Sequence, residues 1–192
     1  MAKEKREKTR SKPTLARVQL GSPELVAAFN EQVGHEMQAS SQYVQIAAYY
    51  AQDNLPELAA FFYRQADEER MHAMKFVHFL VEIDGKVEIP AQSAPRASFA
   101  SAEEPVALSL QWESTVTEQI YRLVEIAKQD GNYIAQRFLD WFVTEQLEEL
   151  SSMSTLLALI QRAGAAGLFY VEDFLARHGH TVPAGIGPTA KA

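Results

Sequence analysis

Cysteine is absent from the 192 residues. Its absence excludes disulfide frameworks, cysteine zinc sites, iron–sulfur clusters and thiol nucleophiles, and it fits a cytoplasmic protein. No apolar run approaches the roughly 20 residues that a membrane helix needs, so a span is not expected. The first 17 residues are rich in Lys and Arg and lack an apolar stretch, which is unlike a secretory signal. Glycine and proline are few, nine and eight, and they cluster at a handful of breaks. No strand-like alternation of any length occurs between those breaks. What remains is 47% hydrophobic and 22% charged, an ordinary globular composition that excludes wholesale disorder.

Charge is unevenly placed. Residues 1 to 17 carry seven Lys/Arg against two Glu, a net of +5, within a chain whose total is −7. The rest of the chain is therefore strongly acidic, at −12. Such a body disfavours nucleic acid and directs attention to cations. The basic tail, repeated in an oligomer, is a separate candidate for binding acidic partners, against the simpler reading of a solvated arm.

Helix signals divide the chain. Ser22 caps a helix with Pro23 at its first position, and the pattern runs to about Gln52. Asp53-Asn54-Leu55-Pro56 makes a turn into a second helix that reaches about Ile83, where Asp84-Gly85 stops it. Residues 84 to about 102 have loop composition. A third helix opens near Ala102 and runs to about Gln129, followed by the turn Asp130-Gly131-Asn132 and a fourth helix to about Ala163. A short fifth helix spans about Leu168 to Arg177. The four long segments keep a heptad rhythm, through Phe29, Val33, Tyr43 and Tyr50, then Leu58, Phe62, Phe76 and Phe79, then Val106, Ile120 and Ala127, then Leu139, Phe142, Met153 and Leu156. Two antiparallel hairpins joined by one long link predict an all-α four-helix bundle with one crossover.

Each apolar stripe turns polar near its middle, at Glu36, Glu69, His72, Glu113, Gln146 and Glu149. Burying a lone carboxylate costs several kcal/mol unless a cation compensates, and the stripes contain no Lys or Arg. Glu36 to Glu69 is 33 residues and Glu113 to Gln146 is also 33, with both midpoints at or beside the turns. Residues equidistant from a hairpin turn lie at one height, so all four helices can present a ligand at one level. Glu69 and His72, like Gln146 and Glu149, stand three apart on one helix face. Four carboxylates and one imidazole suit two iron-type cations.

These residues resemble a known family. Asn30-Glu31-Gln32 leading to Glu36, the run Ala66 to His72, and Phe138-Leu139-Asp140-Trp141-Phe142 with Glu145-Gln146 and Glu148-Glu149 are similar to bacterial non-haem ferritins, the actinobacterial ones above all, over residues 22 to 178. The resemblance implies a ferritin-like bundle over residues 21–163, a short fifth helix within 164–178, and flexible tails at 1–20 and 179–192. It implies a hollow homo-oligomeric cage of twenty-four subunits that oxidises Fe(II) with O₂ or peroxide and stores ferric mineral, with a reductase partner for release. By motif position, Glu36, Glu69 and His72 would bind the first iron. Glu69 would bridge to a second iron held by Glu113 and Glu149, with Gln146 beside it. Glu68, Glu145, Glu148 and Glu149 match a third, looser iron site. Tyr43 and Trp141 match aromatic residues thought to supply electrons.

Within storage proteins the rival is a haem-containing bacterioferritin, but that group has a methionine directly after the bridging Glu, where this chain has Arg70, and a second Glu-x-x-His, where it has Gln146-x-x-Glu149. Haem is therefore not expected. A di-iron oxidoreductase without a storage role, and a mini-cage or plain structural bundle, are the alternatives of other classes.

Overall fold

The computed structural model describes residues 20–178, so the expectations for the basic tail and the C-terminal tail lie outside the described residues. Four long helices, α1 (Pro23–Gln52), α2 (Pro56–Glu82), α3 (Glu103–Gln129) and α4 (Tyr133–Ala163), precede a single 3-10 turn and α5 (Leu168–Arg177). The ends follow from local chemistry. The Ser22 hydroxyl accepts from the Leu25 N–H at 3.1 Å, and the Asn132 side chain accepts from Ala135 N–H at 3.0 Å, each satisfying a donor that the first helical turn cannot. Helix exits use the left-handed region at Asn54, Gly131 and Gly164. At the α2 exit it is Asp84, not the adjacent Gly85, that takes positive φ, because Asp tolerates this conformation where its short polar side chain can bond locally. No single helix among the described residues is long and apolar enough to cross a membrane.

The start of α2 has no side-chain cap of its own. Glu172 on α5 supplies one from 115 and 114 residues away, accepting from the N–H groups of Glu57 and Leu58 at 2.9 Å each. A carboxylate at a helix N-terminus is favoured both by the hydrogen bonds and by the helix dipole. The fifth helix is thereby fastened to the bundle's end, with Val171 and Leu175 buried against it.

The crossover is held along α1 by a ladder of side-chain amides. Asn30 donates to the Lys86 carbonyl at 2.8 Å and accepts from Glu88 N–H at 2.6 Å. Gln38 pairs the same way with Ser93, at 2.9 and 2.6 Å. Gln42 does so with Arg96, at 3.0 and 2.8 Å. Between them, Pro90 rests on Gly34 so closely that a Cβ there would lie 2.4 Å from its Cγ. Positions 30, 34, 38 and 42 form one i, i+4 row, so a single face of α1 carries the whole strap.

The expected stripes of α2 and α4 are buried throughout. On α1, Leu25 and Ile46 join Phe29, Val33, Tyr43 and Tyr50 in the fully buried core, while Val26 and Ser40 are only partly buried. The apolar core falls into two clusters. One, around Tyr43, Tyr50, Leu58, Phe62 and Met153, lies towards the α1–α2 turn, and the other, around Phe29, Phe76, Ile120, Leu139 and Phe142, lies towards the α3–α4 turn. Between them sits the polar layer.

Candidate di-metal centre

The structure brings six of the sequence-predicted residues into that layer. Glu36, Glu69, His72, Glu113, Gln146 and Glu149 are all at most 5% exposed, one or two on each long helix where its apolar stripe turns polar. Two groups of potential ligands share a member. Glu36, Glu69 and His72 can place one ligand atom each within 4.8 Å of one another, as can Glu69, Glu113 and Glu149. The Nδ1 atom of His72 lies 3.3 Å from Glu69 Oε2. Gln32, which the spacing did not single out, is buried and donates to Glu36 Oε1 at 2.9 Å, while Glu36 Oε2 is buried with no hydrogen-bond partner.

Glu113 is held from two sides. The Tyr43 hydroxyl donates to its Oε1, and Gln146 Nε2 lies 3.3 Å from its Oε2 and 3.2 Å from Thr117 Oγ1. Gln146 thus orients a carboxylate within the layer.

Burial among like charges holds protons on the cluster. Glu69 and Glu149 are pushed well above the ordinary carboxylate range, by desolvation first and by neighbouring carboxylates second. Glu113 is raised by burial to about 7, against the hydrogen bonds from Tyr43 and Gln146 that favour its charged form. Tyr43 is pushed far up by burial and then by the Glu113 charge, so it remains a neutral donor.

Of the residues outside the layer, Glu68 and Glu148 are exposed and Glu145 is half-buried. Glu68 accepts from Gln65. Glu145 comes to 3.8 Å from His72 Nε2 and forms a third potential ligand group with His72 and Glu149; neither Glu68 nor Glu148 is in such a group. Trp141 packs edge-on against the His72 ring at 5.4 Å, with the Lys75 ammonium 4.0 Å from the Trp141 ring centre. His35 on α1 has a buried Nδ1 without a hydrogen-bond partner.

A buried quartet of carboxylates with an imidazole, in a four-helix bundle with a long crossover, is a set of groups that could hold metal ions. Residues 26–163 match the family described as the ferritin-like domain. Ferritin BfrB of Mycobacterium tuberculosis is 44% identical over 161 residues, covering 84% of this chain and 88% of the relative. The bacterial non-heme ferritin of Staphylococcus aureus is 38% identical over 143 residues, covering 74% and 86%. Among solved structures, an open pore ferritin from the archaeon Archaeoglobus fulgidus superposes with a TM-score of 0.80 at 28% identity, covering 83% of this chain and 98% of that one. The chain belongs to the ferritin family of iron-storage proteins.

Proposed function

We propose that the protein is a ferroxidase that oxidises Fe(II) at an intra-subunit di-iron centre and stores the ferric product in a hollow, homo-oligomeric cage of twenty-four subunits in the cytoplasm. The observation that carries this reading is the sharing of Glu69 between two ligand groups, Glu36–Glu69–His72 and Glu69–Glu113–Glu149. A shared carboxylate is what two adjacent cations require. The donor set fits iron, because hard oxygen ligands with one nitrogen suit the ferrous ion and favour the ferric ion still more. The unpartnered Glu36 Oε2 marks donor capacity that the protein's own hydrogen bonds leave unused.

Glu36, Glu69 and His72 would take the first Fe(II), and Glu69, Glu113 and Glu149 the second. Binding displaces the protons that burial holds on Glu69, Glu113 and Glu149. The negative field this exposes stabilises the higher charge of the product. Two Fe(II) give one electron each. With O₂ the acceptor takes two electrons and two protons to become peroxide, and with peroxide it becomes water. Tyr43 is the reserve electron donor in this reading. Its hydroxyl proton would pass to Glu113, its hydrogen-bond acceptor. With the imidazole on the first iron and carboxylates alone on the second, the second ion is held more weakly and leaves towards Glu68, Glu145 and Glu148, a third and looser site. A reductase would serve iron release.

Aerobic addition of Fe(II) to the purified apoprotein, followed by electron microscopy, tests the whole reading. Rapid oxidation with electron-dense cores inside large hollow particles is the expected result. A stable monomer or dimer at all salt concentrations and pH values, with precipitated iron outside the protein, overturns it.

A further inference from the structure

We infer that Glu145 is a positioning residue for the metal-binding imidazole, holding the His72 ring by its Nε2–H so that Nδ1 faces the Glu36–Glu69 cluster. The inference rests on His72 being a metal ligand, as proposed above, and adds a role for Glu145 distinct from direct contact with iron.

The two ring nitrogens of His72 stand in different surroundings. Nδ1 lies 3.3 Å from Glu69 Oε2. Nε2 is buried, lacks a hydrogen-bond partner, and has Glu145 Oε1 3.8 Å away on α4. The ring itself is confined by Trp141 on one side, at 5.4 Å edge-on, and by Phe142 at 5.9 Å. All three neighbours belong to one stretch of α4, and Trp141 and Glu145 stand four residues apart on the same face.

A neutral imidazole carries its proton on one nitrogen and offers a lone pair on the other, and which does which is set by the hydrogen bond that the proton can make. A carboxylate at Nε2 selects the Nε2–H tautomer. That leaves the lone pair on Nδ1, beside Glu69, where the metal would be. Metal-binding histidines commonly donate their second N–H to a carboxylate in this way, and loss of such a partner typically weakens metal affinity about 10–100-fold. Glu145 is half-buried, so it has the freedom to close the remaining gap of about 0.6–1.1 Å when His72 is drawn onto a cation.

The test separates this role from that of a metal ligand. Co(II) is titrated into the iron-free full-length protein, and the dissociation constant of the tightest site and its visible spectrum are read for wild type, E145A, E145Q and H72L. Alanine and glutamine remove the same negative charge, so their difference isolates the hydrogen-bond acceptor, which the glutamine carbonyl oxygen still provides. The expected result is about 10–100-fold weaker Co(II) binding in E145A, with most of the loss restored in E145Q. In an H72L background, E145A and E145Q should become equal. Equal weakening in E145A and E145Q with His72 present would overturn the inference and make Glu145 a direct ligand or a bystander charge. No weakening in E145A, with thermal melting of the apoprotein unchanged, would overturn it as well. If H72L itself leaves the tightest site and its spectrum intact, the assignment of His72 as a ligand fails, and the role of Glu145 fails with it.

Discussion

Gln146 reaches from α4 to Glu113 on α3, its Nε2 3.3 Å from both the Glu113 carboxylate and the Glu113 carbonyl oxygen. The two residues are 33 apart in sequence, the same separation as Glu36 and Glu69 on the other hairpin. The contact therefore fixes the register of α3 against α4 within the second hairpin. It also keeps one carboxylate oriented in a layer where three carboxyl groups hold their protons.

That layer makes stability depend on pH. Glu113 keeps its proton from an ordinary 4.5 up to about 7 in the folded chain, and Glu69 and Glu149 are raised further in the same direction. Between those limits the folded apoprotein binds more protons than the unfolded chain, so the stability this contributes is complete below about pH 4.5 and is lost as pH rises through 7. Replacing Glu113 by Gln removes its titration. The melting temperature of E113Q relative to wild type should accordingly rise with pH across this window, in chelator-treated protein. Parallel curves would show that Glu113 ionises as it does in water.

The strap along α1 gives a second expectation. A methyl group at Gly34 would meet Pro90 Cγ at 2.4 Å, and the three amide pairs on either side leave the crossover little room to retreat. Gly34→Ala should cost about 1–3 kcal/mol, the usual range for overpacking, and should make residues 84–102 more open to proteolysis. An unchanged melting temperature would mean that the strap yields freely.

Glu148 lies outside the buried layer and outside the three ligand groups. Glu148→Ala should leave the first rapid phase of Fe(II) oxidation nearly intact and slow the later turnover, because its place is on the way out of the centre. Stopped-flow traces at low and high Fe(II) separate the two phases. A first phase lost as fully as in a Glu69 variant would contradict the division of sites.

Haem is not expected, given Arg70 directly after Glu69 and Gln146-x-x-Glu149 in place of a second Glu-x-x-His. The purified protein should show no Soret absorption. Stoichiometric haem retained through purification would shift the reading towards a bacterioferritin.

The helices, their turns and the level of the polar layer were legible in the sequence, because heptad spacing, caps and equal hairpin offsets are local or simply periodic signals. The strap was not. Asn30, Gln38 and Gln42 are polar residues at helical spacing, which reads as a solvated face until the backbone of residues 86–96 is laid against them. Gly34 carries no signal except smallness. Glu172 shows the same limit. One acidic residue on a short terminal helix gives no hint that it caps a helix 114 residues earlier. Within the centre, the ligand candidates stood out as polar breaks in apolar stripes, whereas Gln32 is skipped by the heptad count although it lies one turn before Glu36 on the same helix face and is buried beside it. The Glu145–His72 approach depends on the rotation of α4 against α2, which periodicity does not specify to the ångström.

The most direct test of the di-iron account is a paired measurement on Glu69→Gln, the initial rate of aerobic Fe(II) oxidation beside the melting temperature of the apoprotein. Glu69 is buried among like groups and is pushed well up in pKa by that burial, so in the absence of metal it opposes folding. The account predicts that E69Q assembles normally, melts at the wild-type temperature or above it, and loses rapid oxidation. If Glu69 instead serves to hold the helices in register, removing its charge should destabilise the bundle by about 3–5 kcal/mol, the range for breaking a buried polar pair. A destabilised E69Q whose surviving folded fraction oxidises Fe(II) at the wild-type specific rate would contradict the account.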